Sequence, residues 1–262
     1  MKFLLYILLA IASTVYAKGP EPSVLLYNIT DGKSTVSENT DVQRPLASLT
    51  KIMTAIVVLD QNPNLDETIA KKINGPLPKG TWSRKDLLAA LLIRSDNTAA
   101  ETLAETYPGG RSSFMIAMNA RAQSLGMTQT FFEDPSGLSR NNVSSASDVH
   151  KMLVASMNYT AIKDLSVQKQ VMFDTYYKKK IRKVVLHNTN SKLLFEFDNI
   201  VITKTGYTNP AGFCLGLIVE QKGKYYAVVI MGTPTPLFRF NLARKILRQD
   251  IPYNNLFDSD LR

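Results

Sequence analysis

The sequence predicts a protein of the α/β class, an α+β sandwich whose terminal elements share one sheet. Three observations lead there. Short apolar strand patterns stand near the N-terminus and again after residue 184, apolar residues at helical spacing fill the middle, and an amphipathic helix follows the last strand. An order of strands, helices, strands and helix buries its apolar faces when the first and last strands pair in one layer.

The first seventeen residues stand apart from that fold. A lone Lys2 precedes the apolar run Phe3 to Ala12, and the small-residue site Val15-Tyr16-Ala17 follows, so cleavage is expected after Ala17. The run falls short of the roughly 20 residues of a spanning helix, and no cysteine follows to accept a lipid. Residues 18–262 are expected to form a single catalytic domain, exported and free of a stable membrane anchor.

Ser23 to Tyr27 reads as a strand, Asp31-Gly32 as a turn, and Ser34 to Val36 as the returning strand of a hairpin. After Pro45, Ala47 to Leu59 is apolar and long enough for a buried helix, with Ser48 at or near its N-terminus. Further helices are predicted over Arg84 to Ile93, Thr98 to Thr106, Ser112 to Ser124 and Ala146 to Met157, the last opened by a capping-box pattern at Ser145 to Asp148. Strands are predicted at Val184 to Leu186, Ile200 to Lys204, Phe213 to Glu220 and Tyr225 to Met231. Gln221-Lys222-Gly223-Lys224 turns between the last two. A helix from Phe238 to Arg248 precedes a polar tail, in which Asp258 and Asp260 argue against an amphipathic anchor at an anionic surface.

Composition narrows the chemistry. The 31 basic against 22 acidic residues give a formal charge of +9, which favours residence near anionic envelope polymers. The sharpest cluster, Lys178 to Lys183, reads as a charged, solvated strand edge rather than a nucleic-acid or lipid patch, because export removes most nucleic acid from reach. Cys214 is the one cysteine, so no intramolecular disulfide supports the core. His150 and His187 are far apart and no H-E-x-x-H string is present, so neither a zinc site nor a Ser-His-Asp triad is predicted. Both histidines read as structural, and no metal or cofactor is called for.

Three short strings stand in order: Ser48-Leu49-Thr50-Lys51, Ser95-Asp96-Asn97 and Lys204-Thr205-Gly206. A serine hydroxyl needs a base within hydrogen-bond reach before it attacks a carbonyl. Residues three apart share a helix face, so Lys51 can aim its amine at the Ser48 hydroxyl. That amine must be neutral part of the time, which burial among apolar neighbours or a nearby cation such as Lys204 would achieve. Ser95 and Asn97 are placed to relay a proton and hold a substrate amide, whereas Asp96 is assigned no chemistry. Lys204 and Thr205 suit a substrate carboxylate. Gly206, at the end of its strand, suits close approach of a substrate backbone lying antiparallel as an added strand. The N–H groups of Ser48 and Tyr207 are the candidate oxyanion hole.

Taken together the strings match the set found in penicillin-binding proteins and class A β-lactamases. The chain resembles the low-molecular-mass penicillin-binding proteins, the D-alanyl-D-alanine endopeptidase and carboxypeptidase family. The match runs through Arg44 to Ala55, Tyr107-Pro108-Gly109-Gly110, Met118-Asn119-Ala120, Ser124 to Met127, Asp134-Pro135-Ser136-Gly137-Leu138 and Lys204 to Gly212. It implies the β-lactamase/DD-peptidase-like transpeptidase fold, an antiparallel sheet flanked by helices plus an all-helical subregion. It also implies peptidoglycan stem peptides and cross-links as substrates, β-lactam antibiotics as covalent inhibitors, and a periplasmic setting. Val57 to Asp60, the Tyr-Pro-Gly-Gly string and Asn188-Thr189-Asn190 look most like the endopeptidase subgroup. The early end of the chain, short of the C-terminal β domain and anchor usual in the carboxypeptidases, points the same way. Carboxypeptidase trimming of a terminal D-Ala is the alternative. A β-lactamase, for which Glu133 is the one candidate deacylating acid, and a wall-binding protein without turnover are the remaining readings.

Overall fold

The computed structural model describes residues 21–177 and 180–248. The expected targeting segment, Lys178 and Lys179, and the tail with Asp258 and Asp260 lie outside the described residues. The chain opens with β1 (Ser23–Asn28), β2 (Lys33–Glu38), β3 (Arg44–Pro45), a 3-10 turn at Ala47–Leu49 and α1 (Thr50–Asp60). Next come β4 (Thr68–Lys71), β5 (Gly80–Ser83), α2 (Arg84–Ala89) with a π-type turn at Ala90–Arg94, α3 (Asn97–Glu105) and α4 (Gly110–Ser124). β6 (Val143–Ser144), α5 (Ala146–Ser156), α6 (Thr160–Ser166), β7 (Gln170–Tyr177), β8 (Lys180–His187) and α7 (Ser191–Glu196) follow. The last described elements are β9 (Ile200–Thr208), β10 (Gly212–Gln221), β11 (Lys224–Thr233) and α8 (Pro236–Arg248).

The first and last strands share one antiparallel sheet, in the order β2-β1-β11-β10-β9. Both of its faces are buried, which is why β10 and β11 read as continuous apolar runs rather than alternating ones. Val24, Leu26, Leu215, Leu217, Val228 and Ile230 meet Phe240, Leu242 and Ile246 of α8 on one face. Leu25, Cys214, Ile218, Val229 and Met231 turn the other way, toward Val149, Met152 and Leu153 of α5. Behind α5 lies the helical region, with α1 at its centre. Thr50 to Val58 of that helix are all buried, the polar Thr50, Lys51 and Thr54 included, as befits an element surrounded on every side.

The pattern was too short to show in several places. β4 and β5 are four-residue strands, whose buried side chains are Ile69 and Lys71 in one and Trp82 in the other. α6, α7 and β7 likewise escaped prediction, although the β8 strand that β7 pairs with did not. Ile181, Arg182 and Lys183 of the basic cluster are exposed along β8, in a two-stranded hairpin. β9 runs on from Lys204 to Thr208, held by Gly206↔Cys214 and Thr208↔Gly212 pairs with β10, so the third motif lies within a strand rather than ending it. Ser145 Oγ accepts the Asp148 N–H as expected, but the Asp148 carboxylate serves Gln129 N–H at 2.7 Å and the Thr130 hydroxyl at 3.0 Å instead of closing a capping box. Among the described residues no helix is long and apolar enough to cross a membrane.

The loop from Glu133 to Asn142 is tied to α1 by side-chain bonds that a core of apolar contacts could not replace. Asn142 is fully buried; its Oδ1 accepts the N–H groups of Glu133 and Asp134, and its Nδ2 donates to Asp134 O at 2.8 Å and Thr50 Oγ1 at 3.1 Å. Thr54 Oγ1 donates to Pro135 O at 2.6 Å. Asn142→Ala leaves several of these buried groups without partners, at about 1–3 kcal/mol each. It is expected to destabilise the protein by roughly 2–4 kcal/mol in denaturant unfolding, and an unchanged midpoint would refute that account of the loop.

Candidate active site

Ser48 sits in the 3-10 turn that leads into α1, and the turn is made by an unusual backbone. Ala47 takes a left-handed conformation, φ +46°, which costs a non-glycine residue of order 1 kcal/mol or more. Gly137 and Gly206 both pack closely against this turn. Gly137 has φ +83°, and a Cβ on it would lie 1.9 Å from the Ala47 carbonyl oxygen. A Cβ on Gly206 would lie 3.0 Å from the Ser48 nitrogen and 3.1 Å from the Ala47 Cβ. The glycine of the third motif is therefore also required by the serine's own turn, a constraint the sequence does not show.

Lys51 is completely buried, and its Nζ lies 2.9 Å from Ser48 Oγ, 2.7 Å from Asn97 Oδ1 and 2.5 Å from Ser136 O. Burial lowers its pKa to about 7, with the carboxylates of Asp134, Asp96 and Glu101 pulling partly back. Burial rather than Lys204 leads this shift. A neutral amine has two N–H bonds and one lone pair. Asn97 Oδ1 and Ser136 O accept only, so they take the two N–H bonds, and the lone pair is left facing the Ser48 hydroxyl. The Asn97 amide nitrogen is then free to donate elsewhere.

The second and third motifs meet across the site. Ser95 adopts φ +63° at the end of the π-type turn, and its Oγ accepts from Lys204 Nζ at 2.9 Å. Lys204 is 1% exposed and also donates to Thr205 O at 2.8 Å. Burial, then the neighbouring cations Lys51 and Arg239, hold its pKa well below the ordinary lysine value. Along an antiparallel strand, alternate residues turn their N–H and C=O groups to opposite sides. Thr203 N–H donates to Ser166 Oγ at 3.4 Å and Thr205 C=O accepts from Lys204, so by parity Tyr207 also turns its backbone groups away from β10. The Tyr207 ring is half exposed and stacks on Phe213 at 4.1 Å between centroids, with its hydroxyl donating to Asn209.

All eight predicted residues converge: Ser48, Lys51, Ser95, Asn97, Lys204, Thr205, Gly206 and Tyr207. Three others join them: Ser136 and Thr189, which lie in strings that carry the family resemblance but have no role assigned from sequence, and Arg239, which has no sequence signal. Ser136 contributes a carbonyl, which no side-chain pattern reveals. Thr189 lies 2.7 Å from the Thr205 hydroxyl, and its N–H donates to Ile93 O at 3.0 Å. Arg239 is buried on α8, where Nη1 donates to Gly206 O at 3.3 Å and Cys214 O at 3.2 Å, and its guanidinium lies 4.4 Å from the Phe240 ring centroid. Burial pulls its pKa down to about 10. Glu133, by contrast, is exposed at the surface, bonded to Ser139 and Asn141. His150 packs on the Tyr27 ring at 4.6 Å, His187 is exposed at the end of β8, and neither enters the site.

A helix-borne serine facing a buried lysine, flanked by a hydroxyl, an amide and a second buried lysine, defines a serine hydrolase that works by acyl transfer. The model of the D-alanyl-D-alanine carboxypeptidase family matches residues 20–235, and the chain belongs to that family of peptidases. It is similar to the D-alanyl-D-alanine endopeptidase of Escherichia coli, with 40% identity over 233 residues, 84% of this chain and 74% of that one. Its fold is that of the solved Streptomyces DD-transpeptidase, with a TM-score of 0.81 and 27% identity over 86% of this chain and 94% of the other. A penicillin-binding protein of Listeria monocytogenes, solved in its cefotaxime-bound form, superposes with a TM-score of 0.74 and 29% identity, again over 86% and 94%.

Two outcomes test this geometry. Acylation by a β-lactam is expected to rise with pH through about 7, because Lys51 loses its proton there and only the neutral amine accepts from Ser48. A stopped-flow profile flat from well below to well above that pH would remove Lys51 as the base. Gly206→Ala presses a methyl group on the Ser48 nitrogen and is expected to slow acylation roughly tenfold or more with a small change in Tm. Normal acylation would show that the strand yields.

Proposed function

We propose that this protein is a serine D-alanyl-D-alanine endopeptidase that hydrolyses peptide cross-links in peptidoglycan through an acyl-enzyme on Ser48. The observation that carries the reading is the Lys51 amine, whose two N–H bonds are claimed by Asn97 and Ser136 so that its lone pair faces the serine. Ser48 Oγ attacks the carbonyl carbon of the D-alanyl amide as Lys51 takes its proton. Negative charge on the carbonyl oxygen falls to the N–H groups of Ser48 and Tyr207, at the positive end of α1. As the C–N bond breaks, the Ser95 hydroxyl passes its proton to the leaving nitrogen and takes one from the Lys204 ammonium that holds its oxygen. Water then attacks the ester, its proton passing through Ser95 to Lys204, and the Lys51 ammonium returns a proton to Ser48 Oγ as the acid is released. The Asn97 amide nitrogen holds the substrate amide, while Lys204, Thr205 and the buried Arg239 make that end of the site suited to a carboxylate.

The endopeptidase relative, at 40% identity, favours cross-link cleavage over trimming of a terminal D-Ala. The cefotaxime-bound relative supports β-lactams as covalent inhibitors here. The exposed position of Glu133 speaks against a β-lactamase that relies on it. The pattern of residues 1–17 supports export to the periplasm with cleavage after Ala17, and no nucleic acid or membrane partner is invoked.

Incubation with a fluorescent penicillin, followed by mass mapping, is expected to place a persistent label on Ser48, and Ser48→Ala is expected to take none while remaining folded. A label elsewhere, or unchanged labelling of that variant, would refute the assignment. Digestion of cross-linked muropeptides is then expected to free the amine of the cross-linking residue. Release of terminal D-Ala alone would make the protein a carboxypeptidase.

A further inference from the structure

Asp96 stands at the centre of the second motif and takes no part in the steps above, yet it is completely buried. Its Oδ1 accepts Thr98 N–H at 2.8 Å, the Thr98 hydroxyl at 2.7 Å and Ala99 N–H at 3.1 Å, which caps α3. A cap of that kind needs one oxygen, and serine or asparagine would supply it. The second oxygen does something else. Oδ2 accepts Leu77 N–H at 2.8 Å, from the loop of residues 72–79 that joins β4 to β5. Lys71 pins the same loop from beneath. It is 2% exposed, and its Nζ donates to the carbonyls of Ile73 and Leu77. The loop thus lies between a buried cation and a buried anion, and the anion is the residue between Ser95 and Asn97.

We propose that Asp96 is a positioning residue for acylation: by clamping loop 72–79 and the start of α3 to one carboxylate, it sets where Ser95 and Asn97 stand against Lys204 and Lys51. The proposal rests on the reading of Ser48 as the nucleophile. Asn97 follows Asp96 directly and its Oδ1 is 2.7 Å from Lys51 Nζ, so a shift of the cap moves one of the two acceptors that orient the amine. Ser95 precedes it in a left-handed conformation that an unconstrained serine would leave.

The charge of Asp96 acts on the same amine. Lys51 on α1 feels Asp96, Asp134 from the loop before β6 and Glu101 from α3, each favouring its ammonium form; Lys204 on β9 is the facing cation, Arg111 on α4 faces Glu101 and Asp134, and Lys71 on β4 faces Asp96. Loss of the Asp96 charge removes one of the influences that keep Lys51 protonated, so the amine becomes neutral at lower pH.

The test is the second-order rate of acylation by penicillin across about pH 5 to 9, on the whole protein, for wild type and Asp96→Asn. The variant keeps the cap oxygen and the shape but loses the charge and presents an amide to Leu77. Its plateau rate is expected to fall roughly tenfold or more, and its acid limb to move to lower pH. A variant with a lowered Tm but wild-type rate and an unmoved limb would make Asp96 a helix cap only and overturn the proposal. Should Asp96→Asn fail to fold, Lys71→Met decides: it frees the loop and leaves the carboxylate, so several-fold slower acylation supports the clamp and a wild-type rate overturns it. A wild-type protein that takes no label overturns the nucleophile assignment itself, whereas a labelled wild type with an indifferent Asp96→Asn overturns this proposal alone.

Discussion

Everything at the site depends on keeping one amine dry. Lys51 in water would be an ammonium ion and useless as a base, and only complete burial brings its pKa near 7. Burial on that scale cannot come from one element. α1 provides the amine, the start of α3 one acceptor, and the loop before β6 the other. Each brings a polar atom the amine needs, and each brings apolar neighbours that exclude water. The amine is thus enclosed by segments that lie far apart in the chain.

The loop before β6 shows how a backbone carbonyl can be placed as accurately as a side chain. Ser136 O reaches Lys51 because Asp134 organises the turn around it, accepting the N–H groups of Ser136, Gly137 and Ser139 together with the Ser136 hydroxyl. Burial would push the Asp134 pKa up, but those hydrogen bonds outweigh it and hold the carboxyl below its ordinary range. Gly137 then brings the same turn against Ala47. One carboxylate thus serves the base and the nucleophile at once.

The parts of the protein that the sequence made legible are those whose signal is short in range. Ser48 and Lys51 are three residues apart on one helix, and the apolar run of α1 announces its burial. β10 and β11 are long and uniformly apolar, so their strand character shows. Four-residue strands such as β4 and β5 offer too few alternations, and the long-range partner that stabilises each is invisible in the string. Ser136 acts through an atom every residue has. Arg239 looks like any other base on α8, beside Arg244 and Arg248, which pair with Glu196 at the surface; only the packing of α8 on the sheet singles it out. Gly206 was legible as a site residue, but its packing against Ser48 was not, since that neighbour in space is remote in sequence.

The two borders of the sheet are finished differently. β2 is short and almost wholly polar on its exposed positions, Lys33, Ser34 and Glu38 among them, which discourages any other chain from docking along it. β9 cannot be treated that way without losing the site. Instead Ser166 accepts the Thr203 N–H and Lys204 donates to the Thr205 carbonyl, so two backbone groups of β9 are already bonded by side chains. The same side chains that set up the chemistry therefore also occupy part of this edge, which leaves less of it as a template on which a strand from another copy of the protein could extend the sheet.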